Sequence, residues 1–128
     1  AGLDRLRQHR LDRLGQQIMD ATRANIARAG LTDAVGIAGK PSWSLMQFHD
    51  TPRATAWEIK SLYLQELLAR GILSAGSHNL CYAHTAADLA QLDAAQREAF
   101  DLVREALDRG DIAKRLSGPA IQPIFKVR

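Results

Sequence analysis

Apolar positions recur along the first part of the chain at Leu3, Leu6, Leu11, Leu14, Ile18, Ala21 and Ile26, with charged residues between them. That near-helical spacing predicts a helix from Leu3 to Ala29, ended by Gly30 in the left-handed conformation. Gly15 interrupts the pattern at a cost of about 1 kcal/mol, and the periodicity keeps the same face on either side of it. The pattern then changes. Ala34 to Gly39 is small and apolar, with glycines at 36 and 39, and reads as a short strand with close backbone neighbours. Lys40-Pro41 breaks it. In Ser42 to His49, Trp43, Leu45 and Gln47 alternate with Ser44, Met46 and Phe48, predicting a strand mostly covered on both faces.

Asp50-Thr51-Pro52 has the form of a helix start, a capping oxygen followed by a proline whose missing N–H costs nothing in the first turn. The helix expected after it carries Trp57, Leu62, Tyr63, Leu64, Leu67 and Leu68 and stops at Gly71. Ile72 to Ser74 and Asn79 to His84 read as extended segments, separated by the turn-prone Ala75-Gly76-Ser77. Thr85-Ala86-Ala87-Asp88 is a variant capping box opening a helix with Leu89, Leu92, Phe100, Val103 and Leu107 on its apolar face, closed by Gly110. Asp111 starts a short turn over Ile112 to Leu116, Ser117-Gly118-Pro119 ends it, and Ala120 to Arg128 reads as extended. The order α-β-β-α-β-β-α over residues 1–128 predicts a single α+β domain, a two-layer sandwich of helices on a small, mostly antiparallel sheet.

Composition narrows the function classes. With 128 residues, 46% hydrophobic and 24% charged, the chain can bury a core without disulfide or metal staples. The net charge of +3 comes from 17 Lys and Arg against 14 Asp and Glu. It is dispersed: Arg5, Arg7 and Arg10 alternate with Asp4, Gln8 and Asp12, a solvated helix face rather than a nucleic-acid stripe. Cys81 is the only cysteine, so no internal disulfide is possible and nothing suggests an oxidising compartment. No apolar run approaches the ~20 residues that span a bilayer. Ala1 reads as a cut or processed end, or the first residue of one piece of a longer chain.

The local chemistry is thin. His78, Cys81 and His84 are all possible zinc ligands, but on a strand the two histidines share one face and the cysteine takes the other. A fourth ligand is missing unless His49 arrives from elsewhere, so no metal site is assigned and Cys81 reads as a small buried hydrophobe. The same geometry argues against a Cys–His nucleophile pair. Gly36-Ile37-Ala38-Gly39-Lys40 lacks the spacing of a phosphate loop and does not open a helix. Asp101 and Glu105 sit among arginines as ordinary surface patterning, while Trp57 and Tyr63 are expected to pack.

A resemblance adds what the residues alone do not. The strand ending in Phe48-His49, the helix carrying IKSLYLQELLARGIL, the segment SHNLCYAHT and the capped helix DLAQLDAAQREAFDLVREAL follow one another in a family-like order. Together they resemble the C-terminal region of class III pyridoxal-phosphate aminotransferases, especially the glutamate-1-semialdehyde aminomutase branch. The long first helix and LTDAVGIAG resemble the approach to that region. The ending ALDRGDIAKRLSGPAIQPIFKVR is similar to tails of members linked to sugar and lipopolysaccharide gene clusters. The resemblance spans nearly the whole chain and rests on the ordered combination rather than on one diagnostic motif.

It implies a fold-type I small domain, folded onto a large domain of the same chain in a cytoplasmic homodimer, with a small amino-acid or amino-sugar type substrate. In that family the Schiff-base lysine, the aspartate at the pyridine nitrogen and the phosphate site belong to the large domain. Lys40, Lys60, Lys114 and Lys126 lack the surrounding pattern, so no catalytic or cofactor-binding residue is carried over. Pyridoxal 5'-phosphate is expected in the parent enzyme and not on this chain alone. The segment expected to face the substrate cleft is Ser77-His78-Asn79, with His84-Thr85 at the far end of the strand that follows; for Thr85 a helix cap is the stronger reading. The alternative is a free-standing oligomerisation module using the leucines of the first helix.

Overall fold

The structure, a computed structural model, describes residues 2–40, 43–72, 77–78 and 86–116. It is α-rich and broadly α+β. Helix α1 spans Gly2–Arg28, and the antiparallel strands β1 (Val35–Lys40) and β2 (Trp43–Phe48) follow. Next come α2 (Ala56–Ala69), the two-residue strand β3 (Ser77–His78), α3 (Ala86–Arg109) and the single turn α4 (Ile112–Arg115). The sheet runs β1-β2-β3, with Val35 opposite Phe48, Ile37 opposite Met46, and β3 pairing Ser77 with Leu45 and His78 with Ser44.

Helix ends are set locally. At the end of α1 the Gly30 N–H donates to the Ala27 carbonyl and the Leu31 N–H to the Ile26 carbonyl, each at 3.0 Å. This Schellman closure needs Gly30 at φ 71°, a conformation that costs a residue bearing a Cβ roughly 1–2 kcal/mol. The same pair of bonds recurs where α2 gives way to Gly71 and Ile72. After each helix the next apolar residue, Leu31 or Ile72, is thereby turned back onto the core.

Two sequence expectations are corrected here. Asp50-Thr51-Pro52 does not open α2, because Thr51 and Ala54 form a tight turn in which the Thr51 hydroxyl accepts the N–H groups of Arg53 and Ala54. The cap is Thr55. Its hydroxyl accepts the Glu58 N–H at 3.1 Å and the Glu58 carboxylate accepts the Thr55 N–H at 2.9 Å, a reciprocal box. Asp50 still serves the helix from outside, accepting the Ala56 N–H at 2.6 Å. The turn expected over Ala75-Gly76-Ser77 is the second difference. Ser77 pairs with β2, whereas Ile72 continues the closure of α2 through its bond to the Leu67 carbonyl. The remaining residues of the two extended segments, 73–74 and 79–84, lie outside the described residues, as do Thr85 and the tail from 117.

The core joins all three long helices to the sheet. Tyr63 and Phe100 stack with ring centroids 4.8 Å apart, and Phe48 lies tilted against Tyr63 at 5.8 Å. Around them Ile59, Leu62, Leu67 and Val103 are fully buried. Tyr63 packs as expected, but Trp57 does not: it is 37% exposed, with the Lys60 ammonium 5.4 Å from its ring. Position on the helix explains the difference, since Trp57 is in the first turn of α2 and lies off the Ile59–Leu62–Tyr63 face.

Candidate functional site

Where α1, α2 and α3 meet, four polar side chains are inside the protein. Thr22 and Asn25 come from α1, Gln96 from α3 and Tyr63 from α2, and none is more than 2% exposed. Buried polar groups cost on the order of 1–3 kcal/mol each when unpaired, so their bonding decides whether the junction stabilises or strains the fold. It is closely bonded. The Gln96 amide nitrogen donates to the Thr22 hydroxyl at 3.0 Å and to the Tyr63 hydroxyl at 3.2 Å. Its carbonyl oxygen accepts from Thr22 and from the Asn25 amide, each at 3.2 Å. Asn25 also donates to the Asp93 carboxylate at 2.9 Å, and Asp93 in turn meets Arg97 at 3.0 Å where the junction reaches solvent.

An open cleft of about 230 Å³ lies beside this junction, walled by Ile18, Ala21, Leu89 and Leu92, with Gln17, Asp93 and Gln96 at its polar side. The arrangement fixes helices and supplies no reactive pair. The Thr22 hydroxyl faces an amide rather than a base, and neither imidazole nor thiol is among these residues. A second cleft, about 260 Å³, lies where α1 and α3 end, between Asp33, Thr51, Arg53 and Arg104. Both arginines serve backbone there. Arg104 donates to the Gly30 carbonyl at 2.9 Å and Arg53 to the Asp108 carbonyl at 3.0 Å, putting cations at helix C-termini where the macrodipole favours them.

Two further arginines hold surface clusters. Hydrogen bonding to Glu98, and then to Glu66, raises the Arg70 pKa above its ordinary value; the contacts are 2.6 and 2.9 Å. The Arg115 pKa is likewise raised, chiefly by the Asp111 carboxylate, with Glu105 contributing. Glu105 therefore sits among arginines as the charge pattern predicts.

The sequence-predicted substrate-proximal residues fall in two groups. Ser77 and His78 form β3 itself rather than a loop ahead of a strand, and their partners Leu45 and Ser44 fix their register on β2. Asn79, Cys81 and His84 lie outside the described residues. His49, considered as a distant metal ligand, is exposed just past β2, with its N–H on the Ala34 carbonyl at 2.9 Å. Among the described residues no three His, Cys, Asp or Glu side chains gather as a metal would require, and no helix is long and apolar enough to cross a membrane. The polar junction is what sequence reasoning missed. Its signal was present: Gln96 falls four residues after Leu92 and four before Phe100, on the apolar face of its own helix, where a polar residue demands a partner.

No family model, curated protein or solved structure matches the chain.

Proposed function

We propose that this chain is the C-terminal small domain of a class III pyridoxal-phosphate aminotransferase or aminomutase, helping to close an active site whose catalytic lysine is in the large domain. In this reading the helices and sheet form a two-layer sandwich, the parent is a cytoplasmic homodimer, and the substrate is a small amino acid or amino sugar. Ser77, His78 and Asn79 stand nearest the substrate, the first two forming β3.

The observation that carries the reading is the first half of α1. Leu3 and Leu6 are 81% and 66% exposed on the same helix that buries Ile18, Met19 and Ile26. Large apolar side chains held in water at one end of a core helix mark a surface suited to cover by another body, here the large domain. The element order supports the same reading, because α1, the hairpin, α2 and α3 coincide with the segments that carry the family resemblance.

The two lysines whose surroundings are described fit a silent role. A Schiff-base lysine needs a desolvated pocket and neighbours that favour its neutral amine. Lys114 is exposed, and Lys60 is half-buried with its ammonium over the Trp57 ring. Neither makes a seat for pyridoxal phosphate. The cofactor, bound elsewhere in the parent, supplies the carbanion chemistry, while this domain orients substrate and excludes water.

The same exposed leucines favour one other reading, a free-standing oligomerisation module in which a second copy covers them. The two separate on the coding sequence upstream of Ala1, compared with the intact mass of the native product. Several hundred preceding residues with a Schiff-base lysine support the aminotransferase domain; a native product that starts near Ala1 replaces it with the module. Borohydride trapping gives a second check. Saturable labelling of one lysine of the isolated chain by pyridoxal phosphate overturns the silent role.

A further inference from the structure

From the junction around Gln96 we infer that α1 is locked to the body as a rigid lever, with Gln96 as the pin that fixes its rotation. The inference rests on the proposed function only for its use, that a closing domain transmits motion through α1. Its physical basis is independent of that reading.

Helix α1 meets the body at three levels. At its C-terminal end Ile26 is buried in the main core and Arg104 holds the Gly30 carbonyl at the surface. In the middle Thr22 and Asn25 bond to Gln96 and Asp93 inside the protein. Nearer the N-terminus Ile18 packs with the half-buried Leu89 and Leu92 beside an open cleft. From 2 to 13, every α1 residue whose exposure is described is solvent-exposed, and at 1.5 Å per residue this arm is about 18 Å long.

Apolar contact alone is non-directional and tolerates a small roll or slide of one helix on another. The polar level does not. One side-chain amide serves α1 through its oxygen and nitrogen while its nitrogen also serves Tyr63 of α2, so a roll of α1 breaks several directional bonds at once. Gln96 thus ties α1 to α2 and α3 together. A buried polar residue that fixes register at some expense in stability is an attested use of such groups.

The test is the distance between spin labels at two exposed positions, Arg7 on the arm and Asp101 on α3, in the full 128-residue chain. The wild-type chain gives one narrow distance distribution. Gln96→Leu, which leaves the Arg104 clamp untouched, broadens it at least about twofold while the circular dichroism stays helical. Thr22→Val removes only the hydroxyl and broadens it in the same direction, whereas Thr22→Ser retains the narrow peak. A broad wild-type distribution, or narrow distributions in both Gln96→Leu and Thr22→Val, overturns the inference. Neither result bears on whether the parent binds pyridoxal phosphate, so the two readings fail separately.

Discussion

The two halves of α1 make the instructive comparison. Both are helical, both carry leucine or isoleucine at helical intervals, and both are rich in arginine. From Gly15 to Arg28 the helix buries Ile18, Met19, Thr22, Asn25 and Ile26 against the body. Over its first three turns the described side chains are all exposed, and Leu3 and Leu6 gain nothing from the hydrophobic effect. Hydrophobic spacing therefore specifies helix and face without specifying what lies opposite. Burial, and the polar bonding that only burial makes necessary, separates the half built into the body from the exposed half.

The comparison breaks most sharply by removing the body beneath the buried half. Phe100→Ala deletes the ring stacked on Tyr63 and is expected to destabilise by about 3–5 kcal/mol in denaturant titration. A loss below about 1 kcal/mol would mean that the core collapses around the gap and that the stack matters little. Next in size is Thr22→Val, which leaves the Gln96 amide short of one partner and is expected to cost roughly 1–3 kcal/mol. Placing a similar change on the exposed half sharpens the contrast: Leu3→Ser with Leu6→Ser should shift the midpoint of the isolated chain by no more than about 0.5 kcal/mol. If a large domain covers this half, as proposed, the same pair should weaken that interface, which size-exclusion or activity measurements would register.

Gly30→Ala tests the boundary where the buried half ends, with an expected loss of about 1–2 kcal/mol from the forced positive φ. The surface charges are also expected to contribute little. Arg70→Ala should change stability by no more than about 1 kcal/mol, because its pairs with Glu66 and Glu98 face solvent and salt. The sign of the pH dependence follows from its raised pKa. A cation whose folded pKa is raised contributes stability below its unfolded pKa and loses it only as pH rises through the folded one. For an arginine both lie far above neutrality, so the contribution of Arg70 should be flat from pH 6 to 9 in a series of melts.

Much of the fold was legible because its signals are local. The 3.6-residue spacing marked α1 and α3, the two-residue alternation marked β2, and Gly30, Gly71 and Gly110 stopped helices where the left-handed turn suits them. The start of α2 was misjudged because two capping patterns lie five residues apart. Asp50 before a proline drew attention, while Thr55 and Glu58 formed the box. Both contribute, yet only Thr55 is placed so that its own carbonyl begins the helical bonding, with the Ile59 N–H at 3.1 Å. The polar junction was harder to see because its partners are far apart in sequence: Thr22 and Gln96 are 74 residues apart, and no local rule links them. Trp57 shows the converse, a large aromatic residue on an amphipathic helix whose place off the Ile59–Leu62–Tyr63 face leaves it partly exposed.

That sequence separation also has a kinetic meaning. The bonds from α1 to α3 close loops of 68 to 74 residues, whereas the Tyr63–Gln96 bond between α2 and α3 closes one of 33. Shorter loops cost less entropy to close, by about 0.6 kcal/mol per doubling, so pairing of α2 with α3 is favoured slightly over docking of α1 on α3. On a ribosome the order of appearance is the reverse: α1 emerges first and finds its seat only after Gln96 has left the exit tunnel. Until then its apolar face, the half later buried included, must stay out of the reach of other chains.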